Sequence, residues 1–168
     1  DMQQLSEMDS NFFHQESVST PMHISPVIVY EQPGGKGGKV RFKDILTVFQ
    51  RNLHKSTIFR RKLAGGALGL DTPYWVEDPD FNLEFHVRHI ALPKPGDWRQ
   101  LCILVSRIHA RQLDRSRPLW ELYVIEGLDN IEHLPKGSFA IFTKMHHAAV
   151  DGASGTEITA ALHDLTPE

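Results

Sequence analysis

Apolar and polar residues alternate with period two along Phe81 to Arg88: Phe81, Leu83, Phe85 and Val87 fall on one side, Asn82, Glu84, His86 and Arg88 on the other. Side chains of an extended chain point to opposite faces in turn, so this alternation predicts a strand over Asn82 to Leu92 with one wet side. Runs rich in β-branched and aromatic residues predict further strands over Met22 to Glu31, around Trp75-Val76-Glu77, over Leu119 to Ile125 and over Ser138 to Met145. Helical spacing predicts helices over Lys43 to Leu53, Trp98 to Leu113 and Gly155 to Leu165. Ile158, Ala161, Leu162 and Leu165 supply the stripe of the last, and Thr166-Pro167 ends it. Asp97 with Gln100, and Ser154 with Glu157, have the spacing of capping boxes. Gln32 to Gly38 reads as a flexible glycine loop and Asp129 to Gly137 as a turn-rich connector. The alternation of strands and helices predicts an α/β domain, a mixed sheet flanked by helices.

Composition fits that picture. With 168 residues, 40% hydrophobic and 23% charged, the chain can bury a substantial core as one globular unit. No apolar run is long enough to span a bilayer, and no signal-peptide pattern opens the sequence. The single Cys102 excludes an internal disulfide; within an amphipathic helix it is expected to be a small core residue, and a reducing cytoplasmic setting is expected with it.

Charge changes the picture more. The formal net charge is −3, yet Lys36, Lys39, Arg41, Lys43, Arg51, Lys55, Arg60, Arg61 and Lys62 face Asp44 alone within their segment, which carries +8. Phe42, Ile45, Leu46, Phe49, Leu53, Ile58 and Phe59 are interleaved with them. Such a stretch suits contact with an anionic lipid surface, guidance of a substrate's phosphates, or a solvated basic face. No nucleic-acid-binding motif accompanies it, so nucleic acid is not an expected partner.

The candidate chemistry lies at His146-His147-Ala148-Ala149-Val150-Asp151-Gly152, between the strand ending at Met145 and the last helix. If extended geometry continues through them, His146 and His147 face opposite ways, so one is the chemical candidate and the other its structural partner. An imidazole titrates near neutral pH and can accept and return a proton as a general base. Asp151 can orient an imidazole, or fix the turn by pairing with an arginine or backbone amides. Gly152 suits a positive dihedral or a close approach. Packing or surface polarity is the alternative for the histidine pair. No metal site is expected, because there is no His-Glu-x-x-His pattern and only one cysteine. His23, which opens an apolar run, is expected to be a satisfied structural histidine.

The motif resembles the HHxxxDG signature of the CoA-dependent acyltransferase superfamily, which includes chloramphenicol acetyltransferase and peptide-synthetase condensation domains. Leu5-Ser6-Glu7-Met8-Asp9 with Phe12-Phe13, Thr20-Pro21-Met22-His23, and Leu113-Asp114-Arg115-Ser116-Arg117-Pro118-Leu119-Trp120-Glu121 running into Ile125-Glu126-Gly127-Leu128 narrow the resemblance. Together they are similar, in order and spacing, to the bacterial wax ester synthase/diacylglycerol acyltransferase family. That resemblance implies a chloramphenicol acetyltransferase-like fold and transfer of a fatty acyl group from acyl-CoA to a long-chain alcohol or a diacylglycerol. It implies His147 as the base, with His146, Asp151 and Gly152 as the rest of the motif, and no tightly bound cofactor beyond acyl-CoA as substrate. Pro118, Leu119 and Trp120 match the family's Pro-Leu-Trp element, here expected to start a strand and pack the core, since proline needs no ladder partner at a strand's first position.

The resemblance also implies a partner. A family member joins two such halves around a tunnel, so residues 1–168 are expected to be the N-terminal half, with the C-terminal domain absent from this chain. The enzyme is expected at the inner face of the membrane or on lipid inclusions, bound peripherally. Two other readings stay open: a lipid-binding or lipid-inclusion protein without turnover, and a condensation-type domain using carrier-bound acyl groups.

Overall fold

The computed structural model describes residues 3–33, 38–65 and 72–150. The predicted helix at Gly155 to Leu165 and its capping pair, together with Asp151 and Gly152, lie outside the described residues, as does part of the glycine loop. Strand β1 (Gln3–Gln4) is followed by α1 (Glu7–Gln15), β2 (His23–Ile24), β3 (Val27–Tyr30), α2 (Phe42–Asn52), β4 (Arg61–Ala64) and β5 (Tyr74–Glu77). Then come α3 (Leu83–His86), β6 (Val87–Ala91), α4 (Trp98–Ala110), β7 (Trp120–Glu126) and β8 (Phe139–His146).

Five strands form the main sheet. β8 is its spine: β2 and β3 pair with one edge and β7 with the other, all antiparallel, while β6 joins β7 in parallel. Every residue of β8 is buried, and so is all of β7 except Glu126, as expected of strands covered on both faces. Alternate residues divide between two cores. Trp120, Leu122, Val124, Ile141 and Met145 pack with Ile45 and Phe49 of α2, whereas Tyr123, Ile125, Ala140 and Phe142 pack with Leu101 and Ile108 of α4. The period-two pattern thus places one helix on each face. Burying a side chain such as Ile45 or Leu122 contributes roughly 1.5–3 kcal/mol. A separate antiparallel sheet, β1-β5-β4, stands beside it.

Several expectations change. The strand expected over Met22 to Glu31 is two short ones, because Pro26 has no N–H to donate; its carbonyl still accepts from the Thr143 amide at 3.1 Å. The strand expected over Asn82 to Leu92 begins as a helical turn. Asn82 Oδ1 accepts from the Glu84 amide at 3.0 Å and caps α3, which leaves only Val87–Ala91 extended. His86 is therefore not on a wet face: it is 1% exposed, stacks on Trp120 at 4.7 Å, and its Nδ1 donates to the Trp120 carbonyl at 2.6 Å. Cys102 is exposed rather than in the core. α4 turns Leu101 and Ile108 inward, and the next residue after Leu101 lies about 100° around the helix. The capping box at Asp97 and Gln100 is present.

Candidate active site

β8 ends at His146, whose backbone is still extended (φ −68°, ψ 138°), and the chain then tightens into a 3₁₀ turn over His147–Ala149. His146 caps that turn with its own ring: Nδ1 accepts from the Ala148 amide at 3.1 Å. The His147 amide donates to the Met22 carbonyl at 2.8 Å, which ties the turn to the start of β2. The two rings go different ways. His146 is 1% exposed on the α4 side of the sheet, opposite His23 in the β2–β8 register. His147 lines a cleft of about 830 Å³.

Helix α1 meets both rings through consecutive phenylalanines. Phe12 stacks on His147 at 5.2 Å and Phe13 on His146 at 4.3 Å. Ser6 sets this helix, since its Oγ accepts from the Asp9 amide at 3.1 Å. The cleft is lined by Ser6, Asp9 and Phe12, by the Ala148 to Val150 segment, and by Gln3, Arg61 and Trp75 of the small sheet. Phe12, Trp75, Met8 and Ile58 share the lining with Gln3, Gln4, Ser6, Asp9, Thr57 and Arg61, so apolar and polar groups meet around the imidazole in comparable measure.

Beneath the turn lies a charged group. Glu16, just past α1, accepts the Met22 amide at Oε2 (3.0 Å) and Arg115 Nη2 and Nε at Oε1 (2.7 and 3.2 Å). Its Oε2 is 3.2 Å from His146 Nε2, out of line for a directed hydrogen bond, so this contact is electrostatic. Burial holds the His146 pKa down, to about 4, against the opposing pull of Glu16, and the ring is neutral at neutral pH. Since Nδ1 accepts, the proton of the neutral ring is assigned to Nε2. Burial alone would raise the Glu16 carboxyl, but the Met22 amide and Arg115 outweigh it and hold the group below its ordinary value.

The sequence-predicted residues are distributed around this turn. His146 and His147 occupy it. Leu119 lies directly behind it, in a cluster with Leu5, Phe13, Leu113 and Ala148, and its carbonyl accepts from the His146 amide at 3.1 Å. Pro118 is buried just before β7. Trp120 turns to the opposite face, where its indole N–H donates to the Phe59 carbonyl at 3.0 Å, and does not enter the cleft. His23 Nε2 donates to the His109 carbonyl at 2.7 Å, but its buried Nδ1 has no partner, so the ring is only half satisfied.

Sequence reasoning gave no site role to Glu16, Arg115 or Trp75, and took Arg61 only as part of the basic segment. Arg115 was within a motif read for its Pro-Leu-Trp end, and Glu16 had no spacing to mark it: its partners lie 6, 99 and 130 residues away. The basic segment also reads differently in three dimensions. Ile45, Phe49 and Phe59 are in the core, Arg60 pairs with Glu77 and Lys62 with Asp78, while Arg61 lines the cleft.

A family profile described as "Wax ester synthase/diacylglycerol acyltransferase catalytic domain" matches residues 5–168. The chain is 36% identical over 162 residues to a probable diacylglycerol O-acyltransferase, tgs3, of Mycobacterium tuberculosis H37Rv, covering 96% of this chain and 56% of that protein. It is 38% identical over 160 residues to a putative diacylglycerol O-acyltransferase of Mycobacterium bovis, covering 95% of this chain and 34% of the relative. Among solved structures, the wax ester synthase/diacylglycerol acyltransferase of Marinobacter aquaeolei VT8 superposes with a TM-score of 0.72 at 33% identity, over 93% of this chain and 37% of that one. The starter condensation domain of rhizomide synthetase superposes with a TM-score of 0.68 over 96% of this chain and 36% of that one; at 11% identity it shares the fold alone. The chain spans about half or less of the length of each.

Proposed function

Because the chain belongs to the wax ester synthase/diacylglycerol acyltransferase family, we propose that it supplies the base-bearing part of an O-acyltransferase that moves a fatty acyl group from acyl-CoA to a long-chain alcohol or a diacylglycerol. The observation that carries this reading is the separation of two adjacent histidines: His146 is neutral and buried, whereas His147 lines the cleft. His147 takes the hydroxyl proton as the alcohol oxygen bonds to the thioester carbonyl carbon. The C–S bond then breaks, and the imidazolium returns the proton to the CoA sulfur, giving ester and free CoA. Transfer is direct, in a ternary complex, with no acyl-enzyme and no resident cofactor.

Trp75 and Phe12 offer the apolar contacts a fatty chain needs, and Arg61 offers a cation to the phosphates of CoA within the same cleft. A C-terminal half supplies the second wall, which excludes the water that would otherwise hydrolyse the thioester. Asp151, four residues after the base in the sequence, is assigned a supporting role on the motif alone. Among the described residues no helix is long and apolar enough to cross a membrane; the exposed basic residues of α2 and its approach give peripheral contact with an anionic lipid surface on the cytoplasmic side.

The test is His147→Ala in the full-length enzyme, given a long-chain acyl-CoA with hexadecanol or dioleoylglycerol and no carrier protein. CoA release should fall by roughly 10²–10⁴, the usual contribution of a positioned base. Wild-type release by a folded variant would remove His147 from the chemistry, and a requirement for a carrier protein would point to condensation-type transfer instead.

A further inference from the structure

Two arms run from one buried carboxylate to the peptides on either side of the His147 ring, one hydrogen-bonded throughout and one that includes the electrostatic contact between Glu16 and His146. On the first arm, the Met22 amide donates to Glu16 Oε2 at 3.0 Å, and the Met22 carbonyl accepts from the His147 amide at 2.8 Å. On the second, the His146 ring intervenes: Nε2 stands 3.2 Å from Glu16 Oε2, and Nδ1 accepts from the Ala148 amide at 3.1 Å. The two amides that bracket the base are thus both referred back to Glu16. Arg115 holds the carboxylate from below with two donors to Oε1, and a third contact from Nη2 to the Phe13 carbonyl (3.2 Å) fixes the guanidinium to the helix whose Phe13 ring stacks on His146.

Magnitudes favour a directional role over a stabilising one. An ion pair between a buried carboxylate and a half-exposed guanidinium contributes little net stability, because desolvation of the acid and solvent screening of the arginine offset the attraction. The Glu16 side chain, just past α1, is 2% exposed, and its two oxygens meet groups from the approach to β2, the end of β8 and the segment before β7. Such a group limits how four segments can move relative to one another. The turn cannot swing the His147 ring without breaking a bond that leads to Glu16. A base displaced by about 1 Å can lose on the order of a hundredfold in rate.

We infer that Glu16, clamped by Arg115, is a positioning residue that fixes the His147 ring for proton transfer, an inference that rests on His147 being the base. Glu16 touches no reacting atom; it acts through Met22, His146 and the turn. Gln at position 16 keeps the volume and an acceptor for one donor but loses the charge that holds Arg115, and Lys at position 115 keeps a charge but loses the fork.

The experiment uses the full-length enzyme with Glu16→Gln, Arg115→Lys and the double variant, read as kcat and KM for acyl-CoA beside an unfolding midpoint. Each single variant should lower kcat by about tenfold to a hundredfold with KM within about a factor of two. The double variant should fall little further than either single, because both act through one carboxylate. Should Glu16→Gln fail to fold, Arg115→Lys carries the test, since that side chain is 47% exposed. Wild-type kcat in either folded single variant, or losses that multiply in the double, would overturn the inference. His147→Ala separates it from the underlying reading: an active His147→Ala removes the base itself, whereas an inactive His147→Ala beside normal Glu16→Gln and Arg115→Lys removes only the positioning role.

Discussion

His146 and His147 are adjacent and chemically identical, and only their surroundings distinguish them. His146 is enclosed by Phe13, Glu16 and β2, and its Nδ1 is the acceptor for a buried amide. His147 has one ring face on Phe12 and its edge toward the cleft. Their substitutions should therefore separate. His146→Ala leaves a cavity and an orphaned Ala148 N–H, and should cost roughly 2–4 kcal/mol of stability; His147→Ala should stay within about 1 kcal/mol of the parent. Urea midpoints of both variants measure this. Equal losses would mean that His147 is also part of the packed interior and would weaken its claim to act in the cleft.

At the scale of elements, α2 shows how much a linear pattern can and cannot say. Its helical spacing placed the helix correctly to within a residue or so, since Ile45 and Phe49 must share a face, but could not say what that face meets. It meets the sheet, so the amphipathic segment offers charge rather than apolar surface to any lipid. Reversing Lys39, Lys43 and Arg51, all exposed, should weaken binding of the full-length protein to phosphatidylserine vesicles by about 1 kcal/mol per charge, and added salt should weaken the parent in the same way. Binding indifferent to both would leave the basic face merely solvated. β7 and β8 were legible because a strand buried on both faces is a continuous apolar run. Asn82 to His86 was misread because a single turn of helix fits inside the alternation from Phe81 to Arg88, and the deciding signal was the asparagine cap. α1 passed unnoticed although Ser6 and Asp9 have cap spacing, its apolar residues being few. The histidine pair was legible from its place at a strand end; the Glu16–Arg115 clamp was not, because it is made of contacts far apart in the chain.

Over the whole molecule the polar interior is the feature that should govern response to acid. His23, His86 and His146 are each 5% exposed or less, and burial lowers the pKa of all three. Lys144 and His109 oppose a charge on His23, Arg115 and His23 oppose one on His146, and Arg117 opposes one on His86; Glu16, Glu121 and Asp78 pull the other way without prevailing. In the unfolded chain these rings titrate near their ordinary value of about 6.5. Below that pH the unfolded state binds more protons than the folded one, so stability is fully present above about 6.5 and is lost as pH falls, for His146 down to its folded value of about 4. Each ring contributes at most about 1.4 kcal/mol per pH unit within its window. Glu16, Asp78 and Asp114 have the opposite chemistry and lowered values, so their contribution is present above the ordinary carboxylate range and disappears only below it. Acid should therefore act in two stages, histidines first and carboxylates after. Chemical denaturation at pH 7.5, 6.5, 5.5 and 4.5 should show little change over the first interval and a steady fall across the two below it, made shallower by His86→Gln, which removes one titrating ring. A stability that stayed level from pH 7.5 to 5.5 would show that these rings already carry protons or water in the folded state, and would remove the basis for treating His146 as the neutral partner of the base.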